Sequence, residues 1–214
     1  MSTRSAYYQE MEKLALKVRA EHGLTTPRVL QSHMRSIYRH HGIRIDLWPP
    51  LGVPATLKDL RGAYFDDEEC GPSVMLRRDL PEDPMVFTMA HELKHHLQDR
   101  GASLYCASAN QQQMVEIGAE VFAAELLFPT QDFHARLEAL GAPRSGLRPE
   151  HVVRLKRATA TTLSYAGLAK RAEFYGYAQP ETLTKYKGWR KLEQHLYGEP
   201  VYKRILRARQ ARRR

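Results

Sequence analysis

The stretch Pro84 to Gly101, PMVFTMAHELKHHLQDRG, constrains this chain more than any other, because it sets two histidines four residues apart with a glutamate directly after the first. Its punctuation predicts a helix: Asp83 can cap it, Pro84 suits its first position and Gly101 its end. Val86, Ala90, Leu93 and Leu97 fall on one stripe, which has to face a core. Residues four apart project from the same helix face, so His91 and His95 can bind one metal ion together. His96 is turned by about 140° from His91 and is not expected to share that site. Glu92, one step along, lies where it can take a proton from a water held at the metal.

A His–Glu–x–x–His helix is the arrangement of a metalloprotease centre, but the spelling also arises by chance and does not settle the matter alone. A catalytic zinc site needs a third protein ligand and an open fourth position. The next helical pattern, NQQQMVEIGAEVFAAELLFP from about Asn110 to Phe128, offers Glu116 and Glu120, again on one face. Its apolar stripe of Val115, Ala119, Phe122 and Leu126 can pack on the first helix. A carboxylate among Met114, Val115 and Ile117 is costly unless it meets a cation, and zinc is the obvious one.

Around this pair the elements run in a definite order. Tyr7 to His22 has helical apolar spacing and stops at Gly23, and a second helix follows with Pro27 in its first turn and His41 at its end. IRIDLW alternates as a strand, and LRGAYF and SVMLRR flank the polar turn DDEECGP as a hairpin. A short helix spans about Gln131 to Leu140. The segment GAPRSGLRP, residues 141–149, reads as a linker. Beyond it EHVVRLKRAT, SYAGLAKRAEFYG and PETLTKYKGWRKLEQHLYG are helical. Helices, short strands, then helices predict an α+β fold, mainly helical with a small sheet. The expected organisation is one domain over residues 1–140 and a helical C-terminal region over 141–214.

Composition adds bounds. The apolar fraction of 43% and charged fraction of 27% are those of a globular protein. The N-terminal residues carry no apolar secretion signal, no run nears the ~20 residues of a membrane span, and Cys70 and Cys106 are too few for a disulfide framework. A cytoplasmic protein is the expectation. The net charge of +9 is concentrated after Glu199, where Lys203, Arg204, Arg207, Arg209, Arg212, Arg213 and Arg214 follow with no acid. A solvated terminus explains that tail as readily as contact with nucleic acid or an acidic partner. The C-terminal helices are compatible with a helix-turn-helix, with Arg154, Lys156, Arg157, Lys170 and Arg171 as candidate DNA contacts; plain packing or a sensor and docking module fits as well.

FTMAHELKHHLQD followed by EIGAEVFAAELLFP resembles the ImmA/IrrE metallopeptidases, whose pattern is a His–Glu–x–x–His helix and then Glu–x–x–Ala–Asn–x–Phe–Ala–…–Leu–Leu–x–Pro. The resemblance covers roughly residues 30–130. It implies a minimal zincin-like fold, Zn2+ as cofactor, His91, His95 and Glu116 as metal ligands, and Glu92 as the catalytic residue. Glu120 stands where the family has Asn or Asp, which implies an outer-shell part, accepting the N–H of a ligand histidine, although the longer side chain can also compete for the metal. Lys94 replaces a small residue, with only a surface effect expected.

The function implied is site-specific cleavage of an XRE-type helix-turn-helix repressor, derepressing genes of mobile elements or stress responses. The alternatives are a non-catalytic DNA- or repressor-binding regulator on the same scaffold, or the toxin of a toxin–antitoxin pair. Tyr64, Tyr105 and nearby histidines are candidates by type for the oxyanion donor. The strand from Ser73 to Leu76 is the expected edge for a peptide substrate, and Cys70 and Cys106 are read as ordinary thiols.

Overall fold

Each helix of the first half buries the stripe that its sequence spacing announces, and these stripes meet. The computed structural model describes residues 3–48, 60–67, 69–100, 109–199 and 203, and among them are eight α-helices and one three-stranded sheet, a mainly helical α+β fold. The chain divides into two compact units, Met1–Pro129 and Thr130–Arg214.

The first unit contains α1 (Thr3–Glu21), α2 (Gln31–His40), β1 (Arg44–Trp48), β2 (Gly62–Asp67), β3 (Gly71–Arg77), α3 (Glu82–Gln98) and α4 (Ala109–Leu127). Helix α4 packs along both α1 and α3. Met11, Ala15 and Val18 of α1, Val86, Met89, Ala90 and Leu93 of α3, and Ala119, Phe122, Ala123 and Leu126 of α4 are buried in that core. Each large side chain so buried contributes on the order of 1.5–3 kcal/mol. Polar clamps fix the alignment: Tyr38 of α2 donates to the Met89 carbonyl of α3 at 2.7 Å, and Arg19 of α1 donates to the Leu126 carbonyl of α4 at 2.6 Å.

Two local expectations are corrected. Helix α2 starts at Gln31, because Leu30 is extended and its N–H donates to His33 Nδ1 at 3.1 Å, closing the first turn there; Pro27 precedes the helix. Helix α3 starts at Glu82 behind Pro81, so Asp83 lies in the first turn rather than at the cap, where its charge suits the helix dipole. Pro84 still sits within the first turn, where its missing N–H costs no intrahelical bond. Gly101, expected at the end of α3, lies outside the described residues.

The sheet has the order β1-β3-β2, with β1 parallel and β2 antiparallel to β3. Strand β3 is therefore central, with both of its edges paired, and the expectation of a free edge at Ser73–Leu76 is wrong. Its two partners give the reason, β1 along Ser73–Arg77 on one side and β2 along Gly71–Leu76 on the other, while Val74 and Leu76 turn one buried face to α3. Among the described residues the edges are β1 and β2.

The second unit contains α5 (Thr130–Ala139), α6 (Pro149–Thr159), α7 (Tyr165–Phe174) and α8 (Trp189–Tyr197). Helix α5 falls within this unit. Phe133 and Leu137 are buried, α5 packs on α6, His134 Nδ1 pairs with the Tyr177 hydroxyl at 2.8 Å, and Arg171 donates to Thr130 Oγ1 at 2.5 Å. The stretch from Pro180 to Lys185 forms turns instead of helix, because Glu173 accepts the Leu183 and Thr184 N–H groups and Glu181 adopts φ 65°. Of the five candidate DNA contacts, two are buried and bonded within the unit. Lys156 donates to the Thr161 and Leu163 carbonyls, and Arg171 is held by Thr130. Arg157 donates to the Glu199 carbonyl at 2.6 Å and lies over the Tyr197 ring, while Arg154 and Lys170 are exposed. Among the described residues no helix is long and apolar enough to cross a membrane.

Where α1, α2 and α3 meet, His22, His40, His41 and His96 form a continuous group with ring centroids 5.1–6.0 Å apart. The Nε2 atoms of His22 and His41 are buried without a hydrogen-bond partner. Burial, then the neighbouring His40, holds both imidazoles below the ordinary 6.5, with Glu21 opposing weakly. They therefore bind fewer protons folded than unfolded below pH 6.5, and their contribution to stability is lost as the pH falls beneath that value. Thermal melts at about pH 7.5 and about pH 5.5 check this: wild type should lose more melting temperature between them than a His22→Gln/His41→Gln variant. Equal losses would count against it.

Candidate metal centre

Helix α3 carries His91 and His95 one turn apart, and α4 lies against it with Glu116 opposite. His91 Nε2 is 3.2 Å from Glu116 Oε2 and 3.3 Å from His95 Nε2, and His95 Nε2 is 3.7 Å from Glu116 Oε1. One donor atom from each residue can be chosen so that all three lie within 4.8 Å of one another, a group that could hold a metal ion. Nitrogen and oxygen ligands at ~2.1 Å from a tetrahedral zinc stand roughly 3.4 Å apart, so the observed spacings fit that ion without movement of the helices.

The two helices also meet electrostatically at this trio. Burial alone would lower His91, but hydrogen bonding to Glu116 and the charges of Glu92, Glu116 and Glu120 hold it above its ordinary value. Glu116 is held below the usual carboxylate range, first by its bond to His91. Half-exposed to solvent, it leaves one side of the trio open. His96 lies elsewhere, its Nδ1 3.1 Å from the Tyr64 hydroxyl and its ring against His41.

Glu92 is buried, with 6% of its surface exposed. Burial raises its pKa, opposed by the charges of His91 and His95, and the Tyr64 backbone N–H donates to its carboxylate. Strand β2 comes this close because of Gly62: a Cβ there would stand 2.4 Å from Thr88 Cγ2 and 3.2 Å from Glu92 Oε1. The Arg77 N–H donates to the Arg61 carbonyl, so in the alternating ladder Gly62 and Tyr64 turn their own backbone groups away from β3, toward the outer edge. The carboxylate beside the trio is thus held by an edge strand.

Tyr64, a candidate oxyanion donor by type, turns its hydroxyl to His96 instead, and burial and Asp66 push its pKa to about 12. Tyr105 and Cys106 lie outside the described residues, and Cys70 is exposed.

Two residues take parts that the sequence did not suggest. Asp99 Oδ2 accepts from His95 Nδ1 at 2.7 Å, which leaves the Nε2 lone pair of His95 facing His91 and Glu116. Glu120, expected in this outer role, acts on His91 through its charge and stands outside the converging trio. Lys94, expected to matter only at the surface, is 0% exposed and donates to Asp99 Oδ1 and Oδ2 at 3.0 and 2.7 Å and to the Val115 carbonyl at 3.3 Å. Asp99 was findable from spacing, four residues after His95 and hence on the same face. The burial of Lys94 was not, since it depends on α1 and α4 covering that side of α3.

Residues 50–146 match a peptidase family model described as the IrrE N-terminal-like domain, which takes in β2, β3, α3, α4 and α5. No curated protein matches the chain.

The close approach of β2 to α3 is testable. Gly62→Ala should cost about 1–3 kcal/mol of stability in urea unfolding, the usual range for an overpacked site. Adding Thr88→Ser, which removes the obstructing methyl group, should recover most of it. An alanine variant as stable as wild type would show that the strand has room to spare.

Proposed function

We propose, from the match of residues 50–146 to the IrrE N-terminal-like peptidase family model, that this chain is a zinc-dependent endopeptidase of narrow specificity. The observation that carries the reading is the convergence of His91, His95 and Glu116 at tetrahedral spacing with a buried, strand-held Glu92 next along the helix. His91 and His95 would hold zinc through Nε2 and Glu116 through its carboxylate. Bound there, zinc supplies a Lewis acid for a peptide carbonyl and acidifies a water molecule toward neutral pH.

The chain's own residues do the rest. Glu92 takes the proton of the attacking water and returns it to the leaving amine, a task for which a carboxylate raised by burial is suited. Asp99 keeps His95 in the tautomer whose Nε2 is free to bind. The outward backbone groups of β2 at Gly62, beside Glu92, favour a substrate lying along this edge as an added strand, in place of the β3 edge. The resemblance to the family makes an XRE-type transcriptional repressor the proposed substrate, with derepression of mobile-element or stress-response genes as its consequence and the cytoplasm as its setting.

Metal content by mass spectrometry should find about one zinc per wild-type chain and almost none on His91→Ala. Wild type without zinc sinks the proposal. Co-expression with helix-turn-helix regulators from the gene's own neighbourhood should give fragments of one of them with wild type. With Glu92→Gln that regulator should stay intact, because the loss of a general base typically costs about 10²–10⁴-fold in rate. The same fragments with both would remove Glu92 from the chemistry.

A further inference from the structure

We infer that Lys94 is a positioning residue of the proposed metal centre, setting at once the imidazole of His95 and the helix turn that carries Glu116. The inference rests on the zinc-peptidase reading. An ammonium group has three N–H donors, and three acceptors surround Lys94 Nζ: both oxygens of Asp99 and the carbonyl of Val115. Val115 is the residue directly before Glu116. One cation therefore ties the carboxylate that orients the α3 ligand to the backbone that presents the α4 ligand.

The surroundings enclose that cation. Its side chain is fully buried, so it meets no substrate and no solvent counter-ion. The Tyr7 ring of α1 lies 5.5 Å from Nζ, and Tyr7 in turn packs where a Cβ on Gly118 of α4 would stand 2.6 Å away. Helices α1, α3 and α4 thus close around one charge, carried by the residue directly before His95. Asp99 alone could turn about its χ angles and release His95 Nδ1. With Nζ bound to both of its oxygens it cannot do so without breaking two charge-assisted hydrogen bonds. Partners of this kind commonly alter metal affinity when removed, since they fix the ring orientation and basicity of the ligand.

The test uses metal-free full-length protein and zinc alone, titrated against a chromophoric chelator. Lys94→Met keeps the length of the stem and removes the charge, and Asp99→Asn weakens the hold on His95. Each should reduce zinc affinity by about 10–100-fold. Because Lys94 acts largely through Asp99, the double variant should lose little more than the worse single one, whereas independent effects would multiply. Cobalt substitution gives a second reading: the visible spectrum of the Lys94→Met protein should depart from that of wild type, which a change in global stability alone does not produce.

Wild-type zinc affinity and cobalt spectrum in Lys94→Met overturn the inference, as do losses that multiply in the double variant. Should Lys94→Met fail to fold by circular dichroism, Asp99→Asn carries the test, and wild-type affinity there overturns it equally. A wild-type chain that takes up no zinc overturns the proposed function itself, whereas a zinc-binding wild type beside an unaffected Lys94→Met overturns this inference only.

Discussion

Everything in the first unit depends on α3 and α4 lying close enough for imidazoles on one helix to meet a carboxylate on the other. Apolar packing supplies the closeness. Val86, Met89, Ala90 and Leu93 on one side and Ala119, Phe122, Ala123 and Leu126 on the other remove water from between the helices. Burial is non-directional and does not choose a rotation, so polar clamps are needed to set the facing of the two helices. The Arg19 bond to Leu126, the Tyr38 bond to Met89 and the Lys94 bond to Val115 all end on backbone carbonyls of α3 or α4. A donor aimed at a backbone atom fixes the helix itself and not merely a side chain.

The charged groups near the site follow from the same packing. Glu92, Lys94 and His95 are consecutive α3 positions apart from Leu93, and all four residues are buried. Such a run is stable only when each charge finds a partner. Lys94 finds Asp99 and Val115, His95 finds Asp99, and Glu92 finds the Tyr64 backbone N–H. A small sheet is enough for the last of these, because one glycine, Gly62, lets its edge strand approach the helix. The sheet's contribution to the candidate site is therefore backbone geometry at one edge more than bulk.

The second unit shows how composition can mislead about surface charge. Five basic residues there look like a nucleic-acid face, yet Lys156 and Arg171 act inside the unit. The first caps the turn between α6 and α7 through the Thr161 and Leu163 carbonyls; the second joins α7 to Thr130. Long side chains can carry their charge into a fold when carbonyls or hydroxyls await them, and sequence does not show where those stand.

The His–Glu–x–x–His spacing, the glutamates four apart on the next helix and the alternation of the strands were legible without coordinates, since helical and extended periodicities are local properties of the chain. They located the helices of the first unit to within a few residues and marked His91, His95 and Glu116, which the structure brings together. What needed the tertiary structure was every statement about neighbours from distant segments. Strand β3 is central because a third strand, β1, comes to it in parallel; α5 joins the second unit because Phe133 and Leu137 find their core there. Lys94 is buried because α1 and α4 close over it. A sequence states which face a residue occupies on its own element, whereas the dielectric it experiences and the partner it meets are set by the elements that pack against that face.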